Sequence, residues 1–363
     1  MTIKRNILLN PGPATTTDTV KAAQLVPDIC PREREFGALM RTLGTDLLRV
    51  VQADPAQWAT VLFCGSGTIC MDACVSSLVP AGKKLLIINN GAYSARAVAI
   101  ARAYSVPHID LTFPADELPD LAAVERTLAE NPDIAAVYTT HHETGTGICN
   151  PISDIGALAH AHGAICIADT ISTFAMLPFT VDEMNIDVCM SSAQKGIQGM
   201  TGLSFVLARK SLLDAAKSYP IRSFYTNLVM QYNGFEETGE MRFTPPVQTV
   251  YAAKRALAEY FAEGEAKKWA RHTRTINAIH EGLAKLGLTE TIPRAIQSGL
   301  VVAVDYPAGF DFPRVHDYCY ERGYTIYPGK MQTASTFRLC ALGAIDAADI
   351  HGFFRVFEEA LKA

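Results

Sequence analysis

Six short apolar runs, each followed by helical or turn sequence before the next begins, constrain this chain more than any other feature. They are Val61–Cys64, Lys84–Asn89, Ile134–Thr139, Ala164–Ala168, Asp187–Ser191 and Leu203–Ala208. Continuous apolar runs are what strands covered on both faces require, and strands alternating with helices give a mainly parallel sheet. Helices are expected from Ser66 to Leu78, Ala92 to Tyr104 and Ser153 to His162, stopped by Pro80-Ala-Gly82, Val106-Pro107 and Gly163. From about Thr249 the pattern changes. A long helical stretch through about Leu286 precedes strands at Gly299–Tyr306, Tyr324–Tyr327 and Thr336–Leu342 and a last helix from Ala347 to about Leu361. With 363 residues, a large domain plus a smaller one is expected. Residues 15–248 are the large unit and 249–363 a small α+β unit, with segment 1–14 joining them.

Charge and composition remove several function classes. The net charge is -5 and no Lys/Arg block could track a phosphate backbone, so nucleic acid is not an expected partner. No run reaches the roughly 18 apolar residues of a spanning helix, and the start is too briefly apolar for a signal peptide, so a cytoplasmic enzyme is expected. The nine cysteines are scattered singly and read as reduced and structural. The histidines lack zinc spacing: His141-His142 would point oppositely on a strand, and surface or loop positions are expected for them.

Ligands of parallel sheets collect at the carboxyl ends of strands, and four such ends carry chemistry. Gly65-Ser66-Gly67-Thr68 opens a helix, where glycines, hydroxyls and the helix N-terminus suit a phosphate, although any βα turn can use glycine. Tyr93 begins another helix and could stack on a flat ring, or simply pack at the helix end. Asp169 ends an apolar strand, where a carboxylate needs a cationic or hydrogen-bonding partner; capping the next turn is the ordinary alternative. Lys195 follows Ser192-Ala193-Gln194, 26 residues after Asp169, in surroundings small enough for a bulky adduct, whereas most single lysines lie on the surface. One ligand, pyridoxal 5′-phosphate (PLP), accounts for all four: phosphate, ring face, ring nitrogen and aldehyde carbon.

Over nearly its full length the sequence resembles the class V aminotransferases of PLP fold-type I, the aspartate aminotransferase-like α/β fold, and within them the 2-aminoethylphosphonate:pyruvate transaminases. The resemblance rests on Leu8-Leu9-Asn10-Pro11-Gly12-Pro13, the Gly65–Thr68 turn, Asn89-Asn90-Gly91-Ala92-Tyr93, His142-Glu143-Thr144-Gly145-Thr146-Gly147, Asp169, Ser191-Ser192-Ala193-Gln194-Lys195, Arg242-Phe243-Thr244-Pro245-Pro246 and Phe337-Arg338. It implies that Lys195 holds the cofactor as an imine, Asp169 pairs with the pyridine nitrogen, and Tyr93 and Ile171 cover the two ring faces. Ser66, Gly67, Thr68 and Gln194 would hold the phosphate, with Thr244 reaching it from the second subunit of a homodimer and Thr146 also at the cofactor. Arg338, with Gly12 and Arg32, would meet the substrate, the guanidinium fork of Arg338 binding its carboxylate or phosphonate.

Two departures stand out. Gly145 stands where the family commonly has Thr or Ser, a contact to the ring hydroxyl, and Asp169-Thr170-Ile171-Ser172 replaces a more usual Asp-Ala-Met-Ser. The implied reaction is transamination of 2-aminoethylphosphonate with pyruvate to phosphonoacetaldehyde and L-alanine. Alanine:glyoxylate or serine:pyruvate transamination is an alternative, as is a PLP lyase or desulfurase, for which Cys149 beside Gly147 is the best, weak, cysteine. A PLP-fold protein turned non-catalytic binder is disfavoured by the presence of lysine, aspartate and phosphate turn together.

Overall fold

A computed structural model describes residues 4–329 and 335–362. In chain order the strands are β1 (Ile7–Leu8), β2 (Trp58–Cys64), β3 (Lys84–Asn89), β4 (His108–Thr112), β5 (Ile134–Thr140), the short β6 (His142–Glu143) and β7 (Ile148–Cys149), β8 (Ile165–Asp169), β9 (Val188–Ser192) and β10 (Leu203–Arg209), followed by β11 (Val301–Asp305), β12 (Tyr324–Thr325), β13 (Tyr327–Pro328) and β14 (Thr336–Cys340). Seven of them form one sheet in the order β2-β10-β9-β8-β5-β3-β4. The pairs from β9 through β8, β5 and β3 to β4 are parallel, and β10 alone runs antiparallel to its neighbours β2 and β9.

Alternation explains why the runs are apolar throughout. Leu85 and Ile87 of β3 pack with Val61 and Phe63 on one face, while Leu86 and Ile88 pack with Val124 and Leu128 on the other. All six expected strands form: β2 starts three residues earlier, β5 and β10 run one residue further, β3 is as expected, and β8 and β9 are shifted by one residue. The strand of this sheet that was missed is β4: His-Ile-Asp-Leu-Thr lies at the sheet edge with every residue at least partly exposed, so it lacks an apolar run.

Two further expectations change in the C-terminal third. The long helical stretch is two helices, Val247–Glu263 and Glu265–Lys285, broken at Gly264, whose φ of 80° and ψ of 144° no helix accommodates. Tyr324–Tyr327 divides around the buried Ile326: β12 pairs with β1 in parallel, and β13 pairs with β14 in a three-stranded sheet ordered β11-β14-β13. The N-terminal segment thus joins the C-terminal part, and Ile7 and Leu9 sit in one apolar cluster with Ile279, Phe337, Phe353 and Phe357. Among the described residues no helix is long and apolar enough to cross a membrane.

Candidate active site

The carboxyl ends of β2, β5, β8 and β9 open onto a cavity of about 170 Å³. On its β2 side the helix Gly67–Ser77 begins, and its cap residue Ser66 makes no side-chain bond to the helix, leaving the hydroxyl exposed. A Cβ on Gly67 would lie 2.8 Å from Ile171 Cδ1, so any side chain there would crowd the Ile171 tip that lines the cavity. Arg96 adds a cation beside this turn. Its Nη1 donates to Thr68 Oγ1 at 3.0 Å, and its guanidinium lies 4.9 Å from the centre of the Tyr93 ring.

Asp169 ends β8 and is 4% exposed. Ile171 N–H donates to its Oδ1 at 2.9 Å and Tyr138 O–H to its Oδ2 at 3.3 Å. Burial pushes the carboxyl up to about 6 despite these donors, so the site favours either a proton here or a cation facing it. Lys195, after β9, donates through Nζ to the carbonyl of Pro11, and a Cβ on Gly12 would meet the lysine stem at 2.6 Å. The turn that carries Lys195 is held from behind. Lys268 Nζ donates to Gly196 O at 2.5 Å, and a Cβ on Gly196 would strike Phe174 O at 2.1 Å.

The β5 side supplies a polar wall of Thr140, His142, Thr144 and Ser172. His142 and Thr144 both contact the Ser172 hydroxyl, at 2.9 and 3.2 Å. Behind the wall, the fully buried Glu143 carboxylate accepts from Ser94 N and Oγ, each at 2.7 Å, and from Tyr93 N at 3.2 Å. It caps the helix Ser94–Ala103, whose own cap residue Tyr93 provides no side-chain cap.

Of the residues expected from sequence, Ser66, Gly67, Thr68, Tyr93, Asp169, Ile171, Gln194 and Lys195 line this one cavity, and Gly12 packs against Lys195. Thr146 does not line it. Its hydroxyl bonds to Glu143 O and Ile148 N, and Thr144 takes the wall position instead. Arg32 lies elsewhere, paired with Glu240 at 2.6 Å, and Thr244 is exposed outside its own chain's cavity. Arg338 stands one residue behind the wall, 1% exposed, with Nη1 donating to Thr144 O at 3.1 Å and Nε and Nη2 to Pro328 O. Among the described residues no carboxylate pairs with it. His141 and His142 are both buried rather than on the surface, His141 edge-on against the Phe179 ring at 5.6 Å and His142 beside Ser172.

Sequence reasoning passed over Arg96, Thr140, His142, Thr144 and Ser172. Arg96 had a signal, since it follows Tyr93 by three residues on a helix and so shares its face. Thr140 ends β5 and Ser172 follows β8, while His142 and Thr144 reach the cavity from the short β6–β7 hairpin, whose two-residue strands carry no periodic pattern.

A family model described as "Aminotransferase class-V" matches residues 31–343. The chain belongs to the class V aminotransferases. It is 36% identical to a 2-aminoethylphosphonate–pyruvate transaminase of Lactiplantibacillus plantarum over 95% of this chain and 94% of that one. A protein of the same name from Burkholderia pseudomallei is 34% identical over 98% and 97%. In fold, this class V chain is similar to an alanine–glyoxylate aminotransferase from Nostoc sp. (TM-score 0.91, 23% identity, 99% and 96% covered) and a ureidoglycine–glyoxylate aminotransferase from Bacillus subtilis (TM-score 0.90, 20% identity, 99% and 94% covered). The polar cavity at the strand ends is therefore the candidate site of an aminotransferase.

Proposed function

We propose that this aminotransferase uses PLP to move the amino group of 2-aminoethylphosphonate to pyruvate, giving phosphonoacetaldehyde and L-alanine. The observation that carries the substrate class is Arg338: a buried guanidinium with no carboxylate partner among the described residues, joined to the cavity wall through Thr144. Such a cation calls for an anion, and its planar fork suits a phosphonate as well as a carboxylate. The full-length relatives named for that reaction support the same substrate pair.

The residues present fit the cofactor. Hydroxyls and helix N–H groups at Ser66–Thr68 suit its phosphate, and the raised carboxyl of Asp169 suits a protonated ring nitrogen. Buried polar atoms of Thr140, His142 and Gln194 that find no partner among the described residues suit a polar guest. When bound, PLP supplies an electron sink for the pair left when a C–H bond of the substrate breaks. Lys195 Nζ would hold the cofactor at rest and, once released by the incoming amine, would take and return that proton, its stem positioned by Pro11 O and the Gly12 surface. Tyr93 and Ile171 would flank the ring, Asp169 would keep the ring nitrogen charged, and Arg338 would orient the substrate's anionic end.

The same reading divides the chain into units 15–248 and 249–363, in keeping with the separate C-terminal apolar cluster. It makes the enzyme a homodimer in which Thr244, exposed beside Phe224, Tyr225 and Phe243, serves the partner's phosphate site. Nine cysteines outside any disulfide fit a cytoplasmic enzyme. A desulfurase is disfavoured because burial pushes the Cys149 thiol up to about 11, away from the thiolate that chemistry needs.

The test is a visible absorbance spectrum of the PLP-loaded protein before and after 2-aminoethylphosphonate without keto acid. Loss of the visible band is expected. A band that persists with the phosphonate and disappears with alanine or serine moves the assignment to a carboxylate-only transaminase; no band after PLP loading removes the cofactor reading.

A further inference from the structure

His142 is 1% exposed and lines the cavity, yet its Nε2 finds no hydrogen-bond partner among the described residues. A buried ring nitrogen left unpaired costs on the order of 1–3 kcal/mol, so a guest that satisfies it is favoured. The hydrogen-bond chain behind it sets which guest. Thr144 O–H donates to Ser172 Oγ, and the Ser172 hydroxyl lies 2.9 Å from His142 Nδ1 against 3.5 Å from His142 O, so the shorter contact takes its proton and Nδ1 accepts. With Nδ1 an acceptor, the proton of the neutral ring sits on Nε2. Burial, reinforced by the charges of Lys195 and Arg338, keeps the ring neutral by pulling its pKa down to about 3. Because His142 lines the cavity while Nε2 itself is enclosed, a small turn of the ring is what brings this N–H to a guest.

Sheet order gives the direction. Asp169 ends β8, the Ser66–Thr68 turn follows β2 on one side of that strand, and His142 follows β5, its neighbour on the other side. PLP carries its phosphate arm and its hydroxyl on ring carbons either side of the one bearing the aldehyde. A ring with its nitrogen at Asp169, its aldehyde carbon at Lys195 and its phosphate on the β2 side turns its hydroxyl toward β5. Gly145 offers no side chain on that wall. Resting on the PLP reading above, we infer that His142 recognises the ring hydroxyl, donating Nε2–H to its oxygen. The donation favours the anionic oxygen, and through Ser172 and Thr144 the contact is linked to the Arg338 guanidinium.

The test measures equilibrium binding of pyridoxamine 5′-phosphate, which forms no covalent bond, and of its 3-deoxy analogue to cofactor-free protein. His142→Phe is expected to weaken the first about tenfold, the worth of one hydrogen bond, and the second by less than about twofold. His142→Gln, which keeps an N–H donor in a smaller side chain, is expected to recover at least about a third of the affinity. Equal losses for both compounds in both variants, or no loss in either, would overturn the role of His142. Wild-type protein that bound neither compound would instead remove the cofactor reading itself, so the two failures are distinct.

Discussion

The ammonium of Lys268 and the carbonyl of Gly196 meet at 2.5 Å, so a lysine on the helix Glu265–Lys285 holds the peptide that follows Lys195. Lys268 is 3% exposed and packs 5.0 Å from the centre of the Tyr260 ring, and burial pulls its pKa down to about 7. Because that value lies below the ordinary 10.5, the unfolded chain binds a proton between about pH 7 and 10.5 that the folded chain releases. The burial penalty is thus full below pH 7 and fades as pH rises. Lys268→Met, which removes it, is expected to be more stable than wild type by about 1–3 kcal/mol at pH 7, with the gap closing toward pH 10. Urea unfolding at the two pH values checks this, and a variant less stable at pH 7 contradicts it.

Asp169 should show opposite effects on folding and on cofactor binding. Its carboxyl is raised from 3.8 to about 6 by burial, so its ionisation costs nothing below about pH 4 and most above pH 6. Asp169→Asn keeps the acceptor for Ile171 N–H and loses the charge. The cofactor-free variant is expected to be more stable than wild type at pH 8, by up to about 3 kcal/mol from a two-unit shift, and to bind PLP more weakly. Thermal melts with and without PLP read both; a drop in cofactor-free stability at pH 8 counts against the burial account.

Arg338 is expected to serve substrate rather than cofactor. Arg338→Met should raise KM for pyruvate and for 2-aminoethylphosphonate about 100-fold, near the upper end for a charged hydrogen bond, while the PLP absorbance stays that of wild type. Arg338→Lys should recover only part, because an ammonium cannot form the two-pronged contact. Equal damage to the cofactor spectrum would show that Arg338 works mainly by holding Thr144 and Pro328 in place.

Glu143 and Tyr93 should act as a unit. Replacing Glu143 by Gln turns one acceptor toward Ser94 into a donor and uncaps the helix that begins beside Tyr93, at a cost of about 1–2 kcal/mol in stability. PLP affinity is expected to fall about tenfold in Glu143→Gln and again in Tyr93→Ala, but the double variant should lose little more than Tyr93→Ala alone. Additive losses would separate the two residues.

Much of the fold could be read directly, because strands buried on both faces must be apolar throughout and the helices between them carry stops. Where that condition lapses, the reading lapsed: edge strand β4 is half polar, and β12 and β13 are two residues each. Gly264 was visible as a glycine, but not the φ of 80° that makes it a break.

The sequence by itself determined the class of chemistry, since Ser66–Thr68, Tyr93, Asp169 and Lys195 each follow a strand and strand ends converge in any parallel sheet. Only the tertiary structure decided which side chains complete the cavity. Thr144 rather than Thr146 stands on the wall, His142 turns from an expected surface or loop residue into a buried one beside it, and Arg96 and Lys268 reach their partners across gaps of 28 and 72 residues. Hydrophobic burial repeats with the period of a strand or helix and so leaves a local trace. A polar contact made across the chain needs two partners that local sequence does not bring together, and it is fixed only when packing does.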